Sequence, residues 1–364
     1  LAAREPDLRQ GAGRRLSIIE ANGDFLILDA RDHRRQVGVE FRSGGHHALL
    51  DGDLVREDIA PIDDGIQRIR SLAGLHQIDL ANVRVLDPAT SCEIELFAER
   101  LCRIERYRGV ERTDSREIII KPHHFAAMMV QYGHADAFVG GNASMPAAVF
   151  RALLHLVKPL PHVPRVFSVV AAVGPHLASF GAEGVLLLAD CGLNSDPTTD
   201  ELATIGVETG KLAHHHFGRS PRVVFLSHST KGSAGTPSAR KVAAATGLAR
   251  KQVIDGALDI EVDGELQLDV ALDPEAAETK LPGAELQRSP DALIFPNLDA
   301  GHIALKLLHH VAGARIYGQL ILGLARPAAQ VTRTVDIDSL LGTALAVGVE
   351  AIKYHQLYPD GEVN

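Results

Sequence analysis

Ala292-Leu293-Ile294-Phe295-Pro296-Asn297-Leu298-Asp299-Ala300-Gly301-His302-Ile303 is the stretch that decides the fold. A short apolar run, Ala292 to Phe295, reads as a strand. It empties into a Pro-Asn-Leu-Asp-x-Gly turn, and an amphipathic helix over 301–311 follows. In α/β proteins the loop at a strand's carboxyl end, where a helix opens, is where ligands bind. Asn297, Asp299 and Gly301 are therefore candidate ligand-binding positions.

The same rhythm extends outward. Strands are expected over 83–86, 135–139, 166–173, 185–189, 222–226, 258–262 and 316–322. Helices are expected over 66–73, 97–107, 123–132, 146–157, 198–214, 238–249, from Asp269 onward, and over 338–355. Strands alternating with helices predict an α/β fold with a mostly parallel sheet and helices on both faces. The first 57 residues are atypical, with short β-like pieces at 25–28 and 37–41. Pro159, Pro161 and Pro164 cluster where a linker or domain crossing is expected.

Composition narrows the function classes. With 364 residues and 46% hydrophobic content the chain can bury a substantial core, built from aliphatic residues because aromatics make up only 4%. A formal net charge of -9 argues against a nucleic-acid or membrane-surface binder, while leaving room for local cations around a small anion. Cys92, Cys102 and Cys191 are scattered, with no CxxC, as expected of reduced thiols in the cytoplasm. The chain starts at Leu1, which leaves room for an upstream segment. His46-His47, His123-His124 and His309-His310 are adjacent pairs, and neighbours on a helix point apart, so neither helical pair is expected to chelate a metal. HExxH, GxSxG, Walker A and clean GxGxxG spacings are missing, against peptidase, hydrolase and simple nucleotide-binding readings.

Several loops carry candidate chemistry. After the strand 222–226 come Ser227-His228-Ser229-Thr230-Lys231-Gly232-Ser233. Small residues let backbone N–H groups approach an anion, hydroxyls donate, and a lysine adds charge, so Ser229, Thr230, Lys231 and Gly232 are candidate binding residues. After the strand 185–189, Asn194, Asp196 and Thr198 are placed to cap the next helix. Gly140-Gly141-Asn142-Ala143-Ser144 leads to Arg151, one or two turns inside a helix. Thr332-Arg333-Thr334 precedes the last helix, where an arginine beside hydroxyls can clamp a phosphate; Asp336 and Asp338 are cap or base candidates.

Four segments, 136–151, 190–202, 226–270 and 292–349, resemble the phosphotransacetylase (phosphate acetyltransferase) family in the same order. They include the Phe-Pro-Asn-Leu turn at Phe295 and Val262-Asp263-Gly264-Glu265-Leu266-Gln267-Leu268-Asp269. The resemblance implies two three-layer α/β domains around an interdomain cleft: domain I over 1–160 plus 327–364, and domain II over 161–326. It implies transfer of an acetyl group between phosphate and coenzyme A. The thiolate of coenzyme A would attack acetyl phosphate, with no metal or separate cofactor. Arg151 falls on the family's phosphate-side arginine, and Thr332-Arg333 on its Ser-Arg pair. Ser339 stands where the family has an acidic base, so Asp338 or Asp336 would have to substitute; Glu105 stands where it has another arginine. The catalytic set implied is Thr332, Arg333, Asp338 and Arg151, with a homodimer or larger assembly. A second implied reading is a non-catalytic acetyl-coenzyme A sensor, like the carboxyl-terminal region of large bacterial malic enzymes.

Overall fold

The computed structural model describes residues 16–19, 25–28, 73–75, 77 and 83–358, apart from 112, 143 and 284–287. The β-like piece expected at 37–41 and most of the helix expected at 66–73 lie outside these residues. The chain divides into two compact units, one formed by 1–156 with 351–362 and the other by 157–350 with 363–364.

The first unit has strands β1 (Leu16–Ile19), β2 (Phe25–Leu28), β3 (Val83–Leu86) and β4 (Ala137–Gly140) in the order β3-β1-β2-β4. β1 runs parallel to β3 and antiparallel to β2, which is antiparallel to β4. Its helices are α1 (Ile94–Tyr107), α2 (Ser115–Ile119), α3 (Pro122–Gln131) and α4 (Pro146–Leu156). Proline at the first helical position starts both α3 and α4, where the missing N–H has no intrahelical partner to lose. Phe97 and Phe125 meet edge to face at 5.2 Å and are wholly buried, joining α1 to α3.

The second unit contains β5 (Phe167–Val173), β6 (Val185–Ala189), α5 (Thr199–Phe217), β7 (Arg222–Leu226), α6 (Pro237–Asp255) and β8 (Glu261–Leu266). Then come α7 (Leu268–Leu272), α8 (Pro274–Lys280), β9 (Ala292–Ile294), α9 (Leu298–His310), β10 (Arg315–Leu322) and β11 (Ala328–Gln330). The last helix, α10 (Ile337–Leu357), runs through the boundary into the first unit. The strand order is β11-β10-β5-β6-β9-β7-β8. β6, β9, β7 and β8 form a parallel block, whereas β5, β10 and β11 pair antiparallel. The sheet is thus mixed, and the mostly parallel arrangement expected from the sequence applies to the block. The reason is loop length: residues 174–184 and 323–327 are too few for a helical crossover, so β5–β6 and β10–β11 must turn back.

Alternate residues of β7 face two helical layers. Val224 and Leu226 join Leu188, Leu293, Val270 and Leu305 in one buried cluster under α7, α8 and α9. Val223 and Phe225 face α5, whose Gly206 and Gly210 leave the space that Phe225 and Ile260 fill. α5 is fixed at its start by a capping box between Thr198 and Glu201, and ends at Gly218 in the left-handed conformation. Asn297 caps α9 by accepting from the Ala300 N–H at 3.0 Å, so the helix begins at Leu298, three residues before the expected start.

Charge pairing fixes the edge of the block. Asp263 on β8 meets Lys231 Nζ at 2.6 Å, Arg222 Nη2 at 3.0 Å and Arg250 Nη2 at 3.1 Å. Burial alone would raise its pKa, but Lys231, the Gly264 N–H and Arg222 outweigh burial and hold it below the ordinary carboxylate value. Its contribution is present above that ordinary value and fades as pH falls through the lower, folded one. Asp263→Asn is expected to lose about 1–3 kcal/mol of stability at pH 7, with a smaller difference at pH 3; urea melts at the two pH values measure it. A Cβ on Gly301 would sit 2.4 Å from the Asp190 carbonyl oxygen. Gly301→Ala should therefore destabilise by about 1–3 kcal/mol, read from the same denaturation.

Candidate active site

The carboxyl ends of β6, β9 and β7 gather three loops. The centre of the first is Asp190, buried at 3% exposure. Its carboxylate accepts from Ser168 Oγ at 2.6 Å, Gly192 N at 2.9 Å, Asn194 N at 2.9 Å and Asn194 Nδ2 at 2.7 Å. A buried carboxylate is tolerated when its lone pairs are filled in this way. Asn194 is therefore part of the Asp190 knot, while Thr198 caps α5. Beside Asp190, burial pushes the Cys191 thiol up, which makes it a poor nucleophile at neutral pH.

The second loop, after β9, docks on the first. Leu298 N donates to Ser195 O at 3.1 Å, and Gly301 packs against the Asp190 carbonyl. Lys241 of α6 joins both loops: its ammonium donates to Asp196 at 2.5 Å, to Pro197 O at 3.1 Å and to Pro296 O at 3.1 Å. Asn297 is spent on the cap, Gly301 is buried, and Asp299 is exposed on the first turn of α9.

The third loop, after β7, is held from β8. Ser229 is wholly buried and donates to Glu265 Oε1 at 3.1 Å, and Gly232 N donates to the same oxygen at 2.5 Å. Thr230 Oγ1 accepts from Gln267 N at 3.1 Å. Lys231 places its ammonium 2.6 Å from both Asp263 Oδ1 and Gly264 O. The hydroxyls and the ammonium read from sequence as ligand contacts thus have protein partners. Sequence reasoning did not single out Glu265, Asp190 or Lys241: Glu265 reaches Gly232 33 residues away, Asp190 reaches Ser168 22 residues away, and the acceptors of Lys241 lie 44 to 55 residues away.

Thr332, Arg333 and Asp338 sit elsewhere in the second unit. β11 is antiparallel to β10, with Ala329 opposite Leu320, so it runs back toward the amino end of β6. Asp338 Oδ2 lies 3.3 Å from Arg315 Nη1. Arg315 pairs with Val173, which pairs with Val185, the first residue of β6. Asp338 therefore lies toward the amino end of β6, whereas Thr332 and Arg333 follow β11, whose Ala329 is level, through Leu320 and Val169, with Ala189 at the carboxyl end of β6. Ser229 to Gly232 and Asn297 to Gly301 are gathered at the carboxyl end. Asp336 accepts from Ser339 N and Ser339 Oγ, both at 2.8 Å. Burial would raise its pKa, but the Ser339 hydrogen bonds overcome that and hold it low. Arg333 is exposed and makes no hydrogen bond or ion pair with the described residues.

Arg151 belongs to the first unit, on α4, and is likewise exposed without a hydrogen bond or ion pair to the described residues. Near it, Ser144 Oγ lies 3.2 Å from His123 Nε2, and His155 Nε2 hydrogen-bonds the buried Glu105. No group of three or more His, Cys, Asp and Glu among the described residues has the geometry to hold a metal ion. No helix among them is long and apolar enough to cross a membrane.

Comparison with known proteins gives a consistent answer. A phosphate acetyltransferase of Acetivibrio thermocellus is 36% identical over 285 residues, 78% of this chain and 84% of that protein. Another, of Thermoanaerobacterium thermosaccharolyticum, is 34% identical over 92% of this chain and its own full length. The solved structure of a phosphotransacetylase from Staphylococcus aureus is 29% identical, covers 79% of this chain and 84% of its own, and superposes with a TM-score of 0.66. The profile of the phosphate acetyl/butaryl transferase family matches residues 63–347, and the chain belongs to that family of acyltransferases.

Proposed function

We propose that the chain is a phosphate acetyltransferase that interconverts acetyl-coenzyme A plus phosphate with acetyl phosphate plus coenzyme A. The observation that carries this reading is the uneven use of cations. Lys231 and Lys241 are consumed by internal carboxylates and carbonyls, whereas Arg333, next to Thr332 in the chain, makes no hydrogen bond or ion pair with the described residues. A free planar guanidinium suits the oxygens of a departing phosphate.

In the direction of thioester synthesis, the coenzyme A thiol loses its proton and the sulfur attacks the acetyl carbonyl carbon. The C–S bond forms, the bond from that carbon to the phosphate oxygen breaks, and phosphate leaves. A thiol with a pKa of about 8.5 is mostly protonated at neutral pH, so a base accelerates the step. We assign that base to Asp338. Both oxygens of Asp336 are taken by Ser339, while Asp338 is exposed and has one contact, with Arg315. Arg333 steadies the leaving phosphate, and the Thr332 hydroxyl donates to the developing oxyanion. Arg151 supplies a second free guanidinium for an anionic group of the substrates. Ser229, Thr230 and Asn297 fix the shape of the carboxyl-end loops that accompany the site. Asp299, exposed on the first turn of α9, is left as a candidate contact for coenzyme A.

A second reading, a non-catalytic acyl-coenzyme A sensor, is favoured by Ser339. It stands where the family's acid is expected, is buried, and is bound to Asp336. Thioester formation from acetyl phosphate and coenzyme A by the purified chain, beside a coenzyme A titration, separates the two. Turnover supports the transferase; saturable binding without turnover supports the sensor. Arg333→Ala is expected to lower kcat by about 100-fold or more with circular dichroism unchanged. Asp338→Asn should lower kcat by about 100-fold or more. Full activity in either variant would remove that residue from the mechanism.

A further inference from the structure

Two glutamines on the strands that lead to Thr332 are buried with unmet hydrogen-bonding capacity. Gln319 lies in β10 and is 9% exposed; Gln330 ends β11 and is wholly buried. The Oε1 atom of each is buried and has no hydrogen-bond partner. The Gln319 side chain makes no hydrogen bond with the described residues, and Gln330 Nε2 donates to Val331 O. β11 pairs Ala328 with Ile321 and Ala329 with Leu320, so the next step of that register sets Gln330 opposite Gln319. Facing residues on paired strands share one side of the sheet. Thr332 follows Gln330 by two residues. The Gln319 carboxamide also covers Gly192, in the loop that Asp190 holds. A Cβ on Gly192 would lie 2.0 Å from Gln319 Oε1 and 2.4 Å from its Cδ, so the glycine leaves the room that the amide fills. The pair thus adjoins both the loop after β6 and the segment that carries Thr332 and Arg333. Buried amide oxygens are seldom left unpaired, and two side by side call for a donor that the chain does not supply.

We propose that Gln319, together with Gln330, determines the acyl group that the site takes, favouring an acyl chain with a hydroxyl over an alkyl chain of the same size. The inference rests on the transferase reading in one respect: there the Thr332 hydroxyl holds the acyl oxygen, so the part of the substrates nearest these amides is the acyl group. Ser229, Lys231 and Asn297 have partners within the protein, whereas the two amide oxygens do not. An alkyl chain against them leaves both oxygens unpaired. A hydroxyl on the carbon beside the carbonyl donates to one of them and can accept from Gln319 Nε2, because a hydroxyl and a carboxamide each carry both kinds of group. Discrimination of this kind is strong, since the wrong substrate leaves buried polar groups unmatched, while a methylene more or less changes little. Acetyl phosphate, which lacks the hydroxyl, remains a substrate of lower efficiency.

The test compares hydroxyacetyl phosphate with propionyl phosphate as donors to coenzyme A. The two are close in size and differ by a hydroxyl against a methyl group. In wild type, kcat/KM should favour hydroxyacetyl phosphate by at least about tenfold. Gln319→Met keeps the length of the side chain and removes both polar atoms, and it should lower that ratio at least about tenfold. Gln330→Met should lower it at least about threefold, and it carries the comparison if Gln319→Met does not fold. A wild-type ratio near one, or a ratio that neither variant changes, would overturn the proposal even with normal acetyl transfer, and would leave the two amides to buried water. Should no acyl phosphate give a thioester, the transferase reading falls, and hydroxyacetyl-coenzyme A and propionyl-coenzyme A are titrated instead. Binding of the first at least about tenfold tighter, with the difference lost in Gln319→Met, would keep the specificity site. Equal affinities would overturn it together with the transferase.

Discussion

The organisation of the second unit depends on one buried carboxylate. Asp190 closes β6 and takes hydrogen bonds from Ser168 on the neighbouring strand and from the three successive backbone N–H groups of Gly192, Leu193 and Asn194. Those N–H groups leave a strand with no ladder to enter, and without an acceptor each would cost about 1–3 kcal/mol. The loop so shaped presents Ser195 O to Leu298 and the Asp190 carbonyl to Gly301. The start of α9 is thereby set by the end of β6. Lys241 completes the arrangement from α6, since its three protons match the three acceptors that two loops offer.

That saturation bears on chemistry. A lysine whose donors all meet protein oxygens holds loops together; it has little left for a substrate phosphate. Lys231 and Lys241 are of this kind, and the left-handed conformation of Lys231 belongs to the same tight turn. Arg333, Arg151 and Lys121 contrast with them, being exposed and without side-chain partners among the described residues. An exposed cation is normally solvated, so exposure alone carries little weight. The weight comes from neighbours. Arg333 has hydroxyls on either side in Thr332 and Thr334, and Arg151 lies within electrostatic reach of the half-buried His124.

Much of the fold was legible because it follows local rules. Thr198 as a helix cap and Pro146 at a helix start are readable over a turn of chain, whereas the Asn297 cap was passed over and its helix begun three residues late. The expectation of a mostly parallel sheet did not foresee the reversed strands β5 and β11, because alternation of strands and helices was given more weight than the short connections after Val173 and Leu322. At the candidate site, the loops carry internal contacts that the sequence does not disclose. Gly301 was a candidate ligand-binding position; in the fold a Cβ there would meet the Asp190 carbonyl. Lys231 looked like a phosphate cation; its partner Asp263 lies 32 residues away and became visible only when β7 and β8 paired.

The histidines show where pattern reading stops. Adjacent histidines do not chelate from a helix, and His123-His124 hold no metal geometry here. Chelation, though, was too narrow a question. What matters for His124 is which charges arrive from α4, and nothing in the local sequence of α3 encodes His155 or Arg151. Glu105 makes the point from the other side. Read against the family, an acidic residue in place of an arginine subtracts a cation. In the structure it is also the group that engages His155 of α4. The substitution thus turns a cation position of α1 into the buried acceptor that ties α1 to α4.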